Sequence, residues 1–289
     1  MTPRTVLANG LEFAFLEDGP SDGPLALCLH GFPDSAHTWR HLLPSLAAVG
    51  YHAVAPFQRG YAPTQVPPNG SYHVGALVRD ANELHEVLGG STAAVLIGHD
   101  WGALAAYGAV AHRPDRWRRV VTLAVPPPLA VASTFFAYDQ LRRSWYTFFF
   151  QSPLADVAVP LDEYAFIERL WGDWSPGYDA DWDVARVKES IGTAERTAAA
   201  IGYYRALYGP DGADPDVAEE QAASVAPVPK PTLYLHGVDD GCFGLEAAGR
   251  ALDFLAEGSE MVTVQTAGHF LHLEQPDAVH GHILEFLTR

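Results

Sequence analysis

The amino-acid sequence predicts an α/β fold: a mostly parallel, doubly wound sheet interrupted by one inserted block of helices. Three observations carry that expectation. Short apolar runs, among them residues 25–29, 93–97 and 120–125, alternate with longer stretches whose apolar residues recur at helical spacing. A strand buried on both faces reads as a continuous apolar run, and strand–helix alternation at this spacing implies parallel neighbours. The alternation stops at Pro126-Pro127-Pro128 and resumes only after Pro227-Val228-Pro229-Lys230-Pro231, so two proline brackets enclose about a hundred residues of different character.

The elements follow in order. Residues 5–17 alternate around Val6, Leu7, Leu11, Phe13 and Phe15 with Asn9-Gly10 between them, the pattern of a hairpin. Residues 25–29 form a strand that ends in His30-Gly31-Phe32-Pro33. Residues 36–48 have a helical pattern, and 51–55 form the next strand. Residues 72–88 carry Val74, Leu77, Val78, Ala81, Leu84 and Leu88 on one helical face, closed by Gly89-Gly90. A strand over 93–97, a helix rich in Ala and Gly from 103, and a strand over 120–125 complete the first half. The insertion holds Trp145, Trp171, Trp174, Trp182 and many tyrosines on helical patterns, and reads as a cap over the strand ends. After it come a strand at 232–235, a helix at 244–256, a strand at 261–264 and a final helix from Pro276. The expected division is a core of residues 1–125 and 227–289 with a cap of 126–226.

Composition narrows the function. Of the 289 residues, 48% are hydrophobic, enough for a sizeable core. Eighteen basic against 35 acidic residues give a net charge of −17 with no basic stripe, which opposes nucleic-acid binding. Cys28 and Cys242 are too few for a disulfide framework and fit a reducing compartment. Met1-Thr2-Pro3-Arg4 has no apolar signal region, and no run approaches a membrane span. A cytoplasmic protein, monomer or homodimer, is expected.

The chemistry centres on Gly98-His99-Asp100-Trp101-Gly102, between a buried strand and a helix. Glycines on both sides of one residue at a strand-to-helix turn make a nucleophile elbow. Its centre usually holds Ser; here it is Asp100, a carboxylate that attacks without prior removal of a proton and can displace a leaving group at a saturated carbon. The competing reading is a helix N-cap. Two further groups close later strands. His236-Gly237-Val238-Asp239-Asp240 offers an acid, Asp240 rather than Asp239 because it lies three residues beyond Gly237. Gly268-His269 supplies a base at the end of the last strand. Nucleophile, acid, histidine is the chain order of a hydrolytic triad. The amides of Phe32 and Trp101 are placed to form an oxyanion hole. His30, His272, His280 and His282 read as structural, and the pair His269/His272 has no further ligand at metal-binding spacing. No cofactor and no metal is expected.

These motifs resemble the epoxide hydrolases of the α/β-hydrolase superfamily over essentially the whole chain. His30-Gly31-Phe32-Pro33 is similar to that family's oxyanion motif, and residues 98–102 to its nucleophile motif. Within the cap, Ser144-Trp145-Tyr146-Thr147-Phe148-Phe149-Phe150-Gln151 and Ile201-Gly202-Tyr203-Tyr204-Arg205 are similar to the segments carrying two epoxide-activating tyrosines. The resemblance assigns these roles to Tyr146 and to Tyr204, not Tyr203. It implies an α/β-hydrolase fold, a small apolar epoxide as substrate, and a pocket formed by Phe32, Trp101, Tyr146, Tyr204 and Phe270. Two phenol donors answer a chemical need, because ring opening leaves an alkoxide that departs poorly unless hydrogen-bonded. A haloalkane dehalogenase would share the triad and could use the Trp101 indole as a halide donor, but Phe32 stands where those enzymes often carry Asn. A non-catalytic receptor for a small ligand is the alternative from another class.

Overall fold

A computed structural model describes residues 2–208 and 214–289. Its strands are β1 (Arg4–Ala8), β2 (Leu11–Asp18), β3 (Leu25–Leu29), β4 (His52–Pro56), β5 (Val95–His99), β6 (Arg119–Leu123), β7 (Thr232–Gly237) and β8 (Glu260–Val264). They form one sheet in the order β1-β2-β4-β3-β5-β6-β7-β8. Only the pairs β1/β2 and β2/β4 are antiparallel; the other pairs are parallel. The Asn9-Gly10 turn between β1 and β2 has φ of 47° and 71° at its two residues, the positive values a tight two-residue hairpin requires.

Burial follows position in the sheet. β3, β4, β5 and β7 are buried throughout, which is why they read as unbroken apolar runs. β8, at the edge, is mostly half-exposed. Helices Val74–Val87 and Trp101–His112 pack on each other, and Leu42–Ala48 packs against both β4 and Pro276–Thr288. From β3 the chain moves to β4 on one side, then returns to β5 on the other, so the strand order reverses between β3 and β5. In an open parallel sheet the crevice at that reversal, at the carboxyl ends of the strands, is where ligands bind.

Two expected helices are broken in the structure. Residues 36–48 split into a 3-10 turn, Ala36–Arg40, and a helix, Leu42–Ala48. Pro44 explains the restart, since proline fits the first turn of a new helix but not the interior of a continuing one. Residues 244–256 divide at Gly249 into Leu245–Ala248 and a 3-10 turn, Ala251–Phe254.

The inserted block is helical, with seven helices from Pro128–Thr134 to Ala194–Tyr208 among the described residues. Its far boundary differs from expectation. Helix Ala218–Ala223, inside the expected cap range of 126–226, packs on the core helices Val74–Val87 and Trp101–His112. Small residues permit the approach: a Cβ on Gly75 would lie 2.7 Å from the backbone nitrogen of Gln221, and one on Gly108 would lie 3.0 Å from Cα of Ser224. No helix among the described residues is long and apolar enough to cross a membrane.

Candidate active site

The site is built from the turn after β5. Asp100 adopts φ 53°, ψ −117°, a left-handed conformation that strains any residue except glycine. The flanking glycines allow it. A Cβ on Gly98 would collide with the carbonyl of Gly102, and one on Gly102 with the carbonyl of Leu29. The carboxylate does not cap the helix it precedes, so the N-cap reading fails. Its Oδ1 instead accepts a 2.7 Å hydrogen bond from the amide of Phe32. Gly31 is tight for the same reason, because a Cβ there would strike the Asp100 carboxylate. Trp101 opens the helix, so its amide is among those with no partner inside the helix.

The second oxygen, Oδ2, faces His269 Nε2 across 3.6 Å. His269 Nδ1 is 3.0 Å from Asp240 Oδ2. Asp240 Oδ1 accepts from the amides of Cys242 at 2.7 Å and Phe243 at 2.9 Å, which fixes the carboxylate plane. Asp239 is exposed, whereas Asp240 is buried against His269. Burial disfavours charge on His269, but the carboxylates of Asp240 and Asp100 outweigh it and hold the imidazole pKa up at about 10. Burial likewise works against ionised Asp240, and the facing His269 overcomes it, so that carboxyl sits below its ordinary value.

Above Asp100 stand the two cap tyrosines. Tyr146 and Tyr204 are both buried, with ring centroids 5.5 Å apart and planes at 84°. Burial pushes both phenols well above their usual pKa, with the Asp100 charge adding to it, so both keep their protons. Tyr203 turns the other way and donates to the carbonyl of Arg59 at 2.8 Å, whereas Tyr204 lines the same cavity as Asp100. Asp100, Trp101, Tyr146 and Tyr204 line one cavity of about 580 Å³ whose other walls include Leu104, Val131, Phe135 and Phe148. Among the described residues, Asp100 is the only charged one in that lining.

Two expected pocket residues lie elsewhere. The Phe270 ring stacks on Trp171 with centroids 3.4 Å apart and does not line the cavity. The Phe32 ring is also outside the lining, packed edge-on against Phe150 and Tyr204. Phe32 therefore offers its amide to Asp100 and its ring to the wall behind Tyr204.

Other contributors carry no local signal. The Trp174 carbonyl accepts from the amides of His269 at 3.0 Å and Gly241 at 3.1 Å, so the cap ties the acid loop to the histidine loop. His99 Nε2 lies 2.9 Å from the carbonyl of His269. Behind it, His272 has neighbours that spacing alone did not reveal: ligand atoms of Asp34, His99 and His272 lie within 4.8 Å of one another. Burial pushes the Asp34 carboxyl up, His99 down to about 3 and His272 down, each toward its uncharged form, and the trio reads as a buried polar cluster.

Comparison with known proteins places the whole chain among its relatives. A family model described as the alpha/beta hydrolase fold matches residues 24–276. Epoxide hydrolase A of Mycobacterium tuberculosis is 30% identical, over 99% of this chain and 97% of that protein. An epoxide hydrolase of Caballeronia sordidicola is 29% identical, over 98% of this chain and 92% of its own length. The crystal structure of epoxide hydrolase A from Mycobacterium thermoresistibile superposes with a TM-score of 0.82 at 28% identity, covering 99% of this chain and 98% of the other.

Proposed function

From a chain that belongs to the α/β-hydrolase family and has epoxide hydrolases as full-length relatives, we infer an epoxide hydrolase whose nucleophile is Asp100. The enzyme is a hydrolase acting on a cyclic ether, and its product is a vicinal diol. The observation that carries the residue roles is a single cavity holding a strained carboxylate and two protonated phenols.

The reaction divides into two steps. Asp100 Oδ2, the oxygen not held by Phe32, attacks an epoxide carbon from the side opposite the ring oxygen. A carbon–oxygen ester bond forms as the ring C–O bond breaks, and the electron pair stays on the departing oxygen. Tyr146 and Tyr204 donate to that oxygen, which ends as a hydroxyl. His269 then takes a proton from water, which adds to the ester carbonyl carbon. Oδ1 becomes the tetrahedral oxyanion, already beside the Phe32 amide and near the helix start at Trp101. Collapse breaks the bond from the ester carbonyl carbon to Oδ2, which leaves as the diol's second oxygen with the remaining proton of the added water. Asp100 is again a carboxylate, and the proton that His269 sheds after alkylation replaces the one given by the phenols. One water molecule is consumed.

Electrostatics sets the order of events. While Asp100 is ionised, its charge helps keep His269 protonated and unable to act as a base. Alkylation converts that carboxylate to a neutral ester and removes its part of the stabilisation. The His269 pKa then falls, and the imidazole becomes a base only once there is an ester to hydrolyse. Asp240 remains to orient the ring and to stabilise the imidazolium formed on proton transfer. A cytoplasmic location is part of this reading, resting on the unpaired Cys28 and Cys242.

Incubation with styrene oxide and, separately, with a 1-bromoalkane tests the reading. Diol from the epoxide without bromide from the alkane is expected, with Asp100→Ala inactive. Bromide without diol would make the protein a dehalogenase. Ligand affinity without either product would make it a receptor.

A further inference from the structure

We propose that Cys242 is a positioning residue for Tyr146: its thiol donates to the phenol oxygen while the phenol donates to the opening epoxide. The proposal rests on the role given to Tyr146 above and adds a group behind it. The Cys242 sulfur lies 3.2 Å from Tyr146 Oη, and both side chains are buried. Among the described residues it is the one hydrogen-bond partner of that hydroxyl.

The contact is held from both sides. On the core side, the Cys242 amide donates to Asp240 Oδ1. On the cap side, Gln140 Nε2 donates to the Cys242 carbonyl at 2.9 Å and to Ser144 Oγ at 2.9 Å, while Gln140 Oε1 accepts from the amide of Gly244 at 3.1 Å. Gln140 and Ser144 belong to the cap segment that leads into the helix carrying Tyr146, Trp145–Phe149. The loop that supplies the triad acid is thereby fastened to the helix that supplies the phenol, with the thiol between them.

A phenol hydroxyl has one hydrogen to give and lone pairs to receive. Without substrate, either partner of the thiol–phenol contact can be the donor. Once the Tyr146 hydrogen points at the epoxide oxygen, the thiol hydrogen is the one left to bridge sulfur and phenol oxygen. Negative charge reaching the phenol oxygen during ring opening is then shared along two hydrogen bonds in series, each strengthening the other. Burial together with the charges of Asp240 and Asp100 holds the thiol well above its ordinary pKa. The surroundings that disable Cys242 as a nucleophile therefore keep it a donor throughout the working pH range.

The test is a set of variants read in the alkylation half-reaction under single-turnover conditions with styrene oxide. Cys242→Ala is expected to slow alkylation about three- to tenfold, the range for one modest hydrogen bond, with ester hydrolysis and the dissociation constant of the epoxide little changed. Cys242→Ser, which keeps a donor, is expected to restore at least half the rate. In a Tyr146→Phe background Cys242→Ala is expected to cost nothing further, whereas in Tyr204→Phe it costs its full factor. Normal alkylation by Cys242→Ala, an equal loss in the Tyr146→Phe background, or failure of Cys242→Ser to recover the rate would each overturn the proposal. An unaltered protein that forms no alkyl-enzyme at all would overturn the functional reading instead, so the two failures are distinct.

Discussion

Tyr204→Phe is the cleanest perturbation of the epoxide-opening step. The ring is held by edge contacts to Trp101 at 5.0 Å and Phe32 at 5.2 Å and a tilted contact to Phe150 at 5.0 Å, all of which a phenylalanine keeps. The backbone at 204 is held by Gln151, whose Nε2 donates to the Tyr204 carbonyl at 2.8 Å, and that bond also survives. Only the hydroxyl facing the cavity is lost. A hydrogen bond to a group that becomes charged is worth about 1.5–3 kcal/mol, so the alkylation rate constant is expected to fall roughly 10- to 150-fold. Tyr146 remains as the second donor, which is why the loss is not complete. Rapid-mixing fluorescence can follow the step, because Trp101 lies beside both Asp100 and Tyr204. The slower rate is expected in alkylation, with hydrolysis of the preformed ester unchanged. Alkylation at the unaltered rate, or a defect confined to ester hydrolysis, would refute the assignment of Tyr204 to the departing oxygen.

Three further outcomes follow from the geometry. His269→Gln retains a polar side chain but no base, so the ester is expected to accumulate after one turnover, adding the mass of the epoxide to the peptide containing Asp100. Gly31→Ala puts a methyl group against the Asp100 carboxylate; moving the nucleophile by even about 1 Å costs on the order of a hundredfold, so steady-state turnover should drop by about that factor while circular dichroism stays native. Thermal unfolding across pH reports the charged His269. Its folded pKa of about 10 is raised above its unfolded value, so its stabilisation is complete below about pH 6.5 and fades as pH rises toward 10. The difference in Tm between the unaltered protein and His269→Gln should shrink over that interval; a constant difference would contradict the paired, charged imidazole.

The fold was largely legible in the sequence because its central strands are buried on both faces, and such strands advertise themselves as apolar runs. Legibility failed where one residue overrode a periodic pattern. Pro44 and Gly249 each cut a helix whose apolar spacing continues past them. The meeting of Asp100, Asp240 and His269 was legible for a related reason, since all three follow strands whose carboxyl ends share one edge of a parallel sheet. The resemblance selected Tyr204 over Tyr203, a distinction that spacing cannot make; in the structure the Tyr203 hydroxyl is taken up by the Arg59 carbonyl. Phe270 was misplaced because adjacency to a catalytic histidine does not say which way a ring points. The Trp174 carbonyl and the Cys242 thiol were invisible: a backbone oxygen has no residue signature, and Cys242 lies 96 residues from the tyrosine it touches.

The central claim is that the oxygen entering the diol comes from Asp100, which then takes its replacement from water. Many turnovers of an epoxide in water enriched in oxygen-18, followed by digestion and mass analysis of the peptide spanning residues 98–102, test it most directly. The account predicts that the Asp100 carboxyl group gains label up to two oxygens with repeated cycles. A peptide free of label after extensive turnover, with oxygen-18 found only in the diol, would mean that water attacks the epoxide without a covalent intermediate.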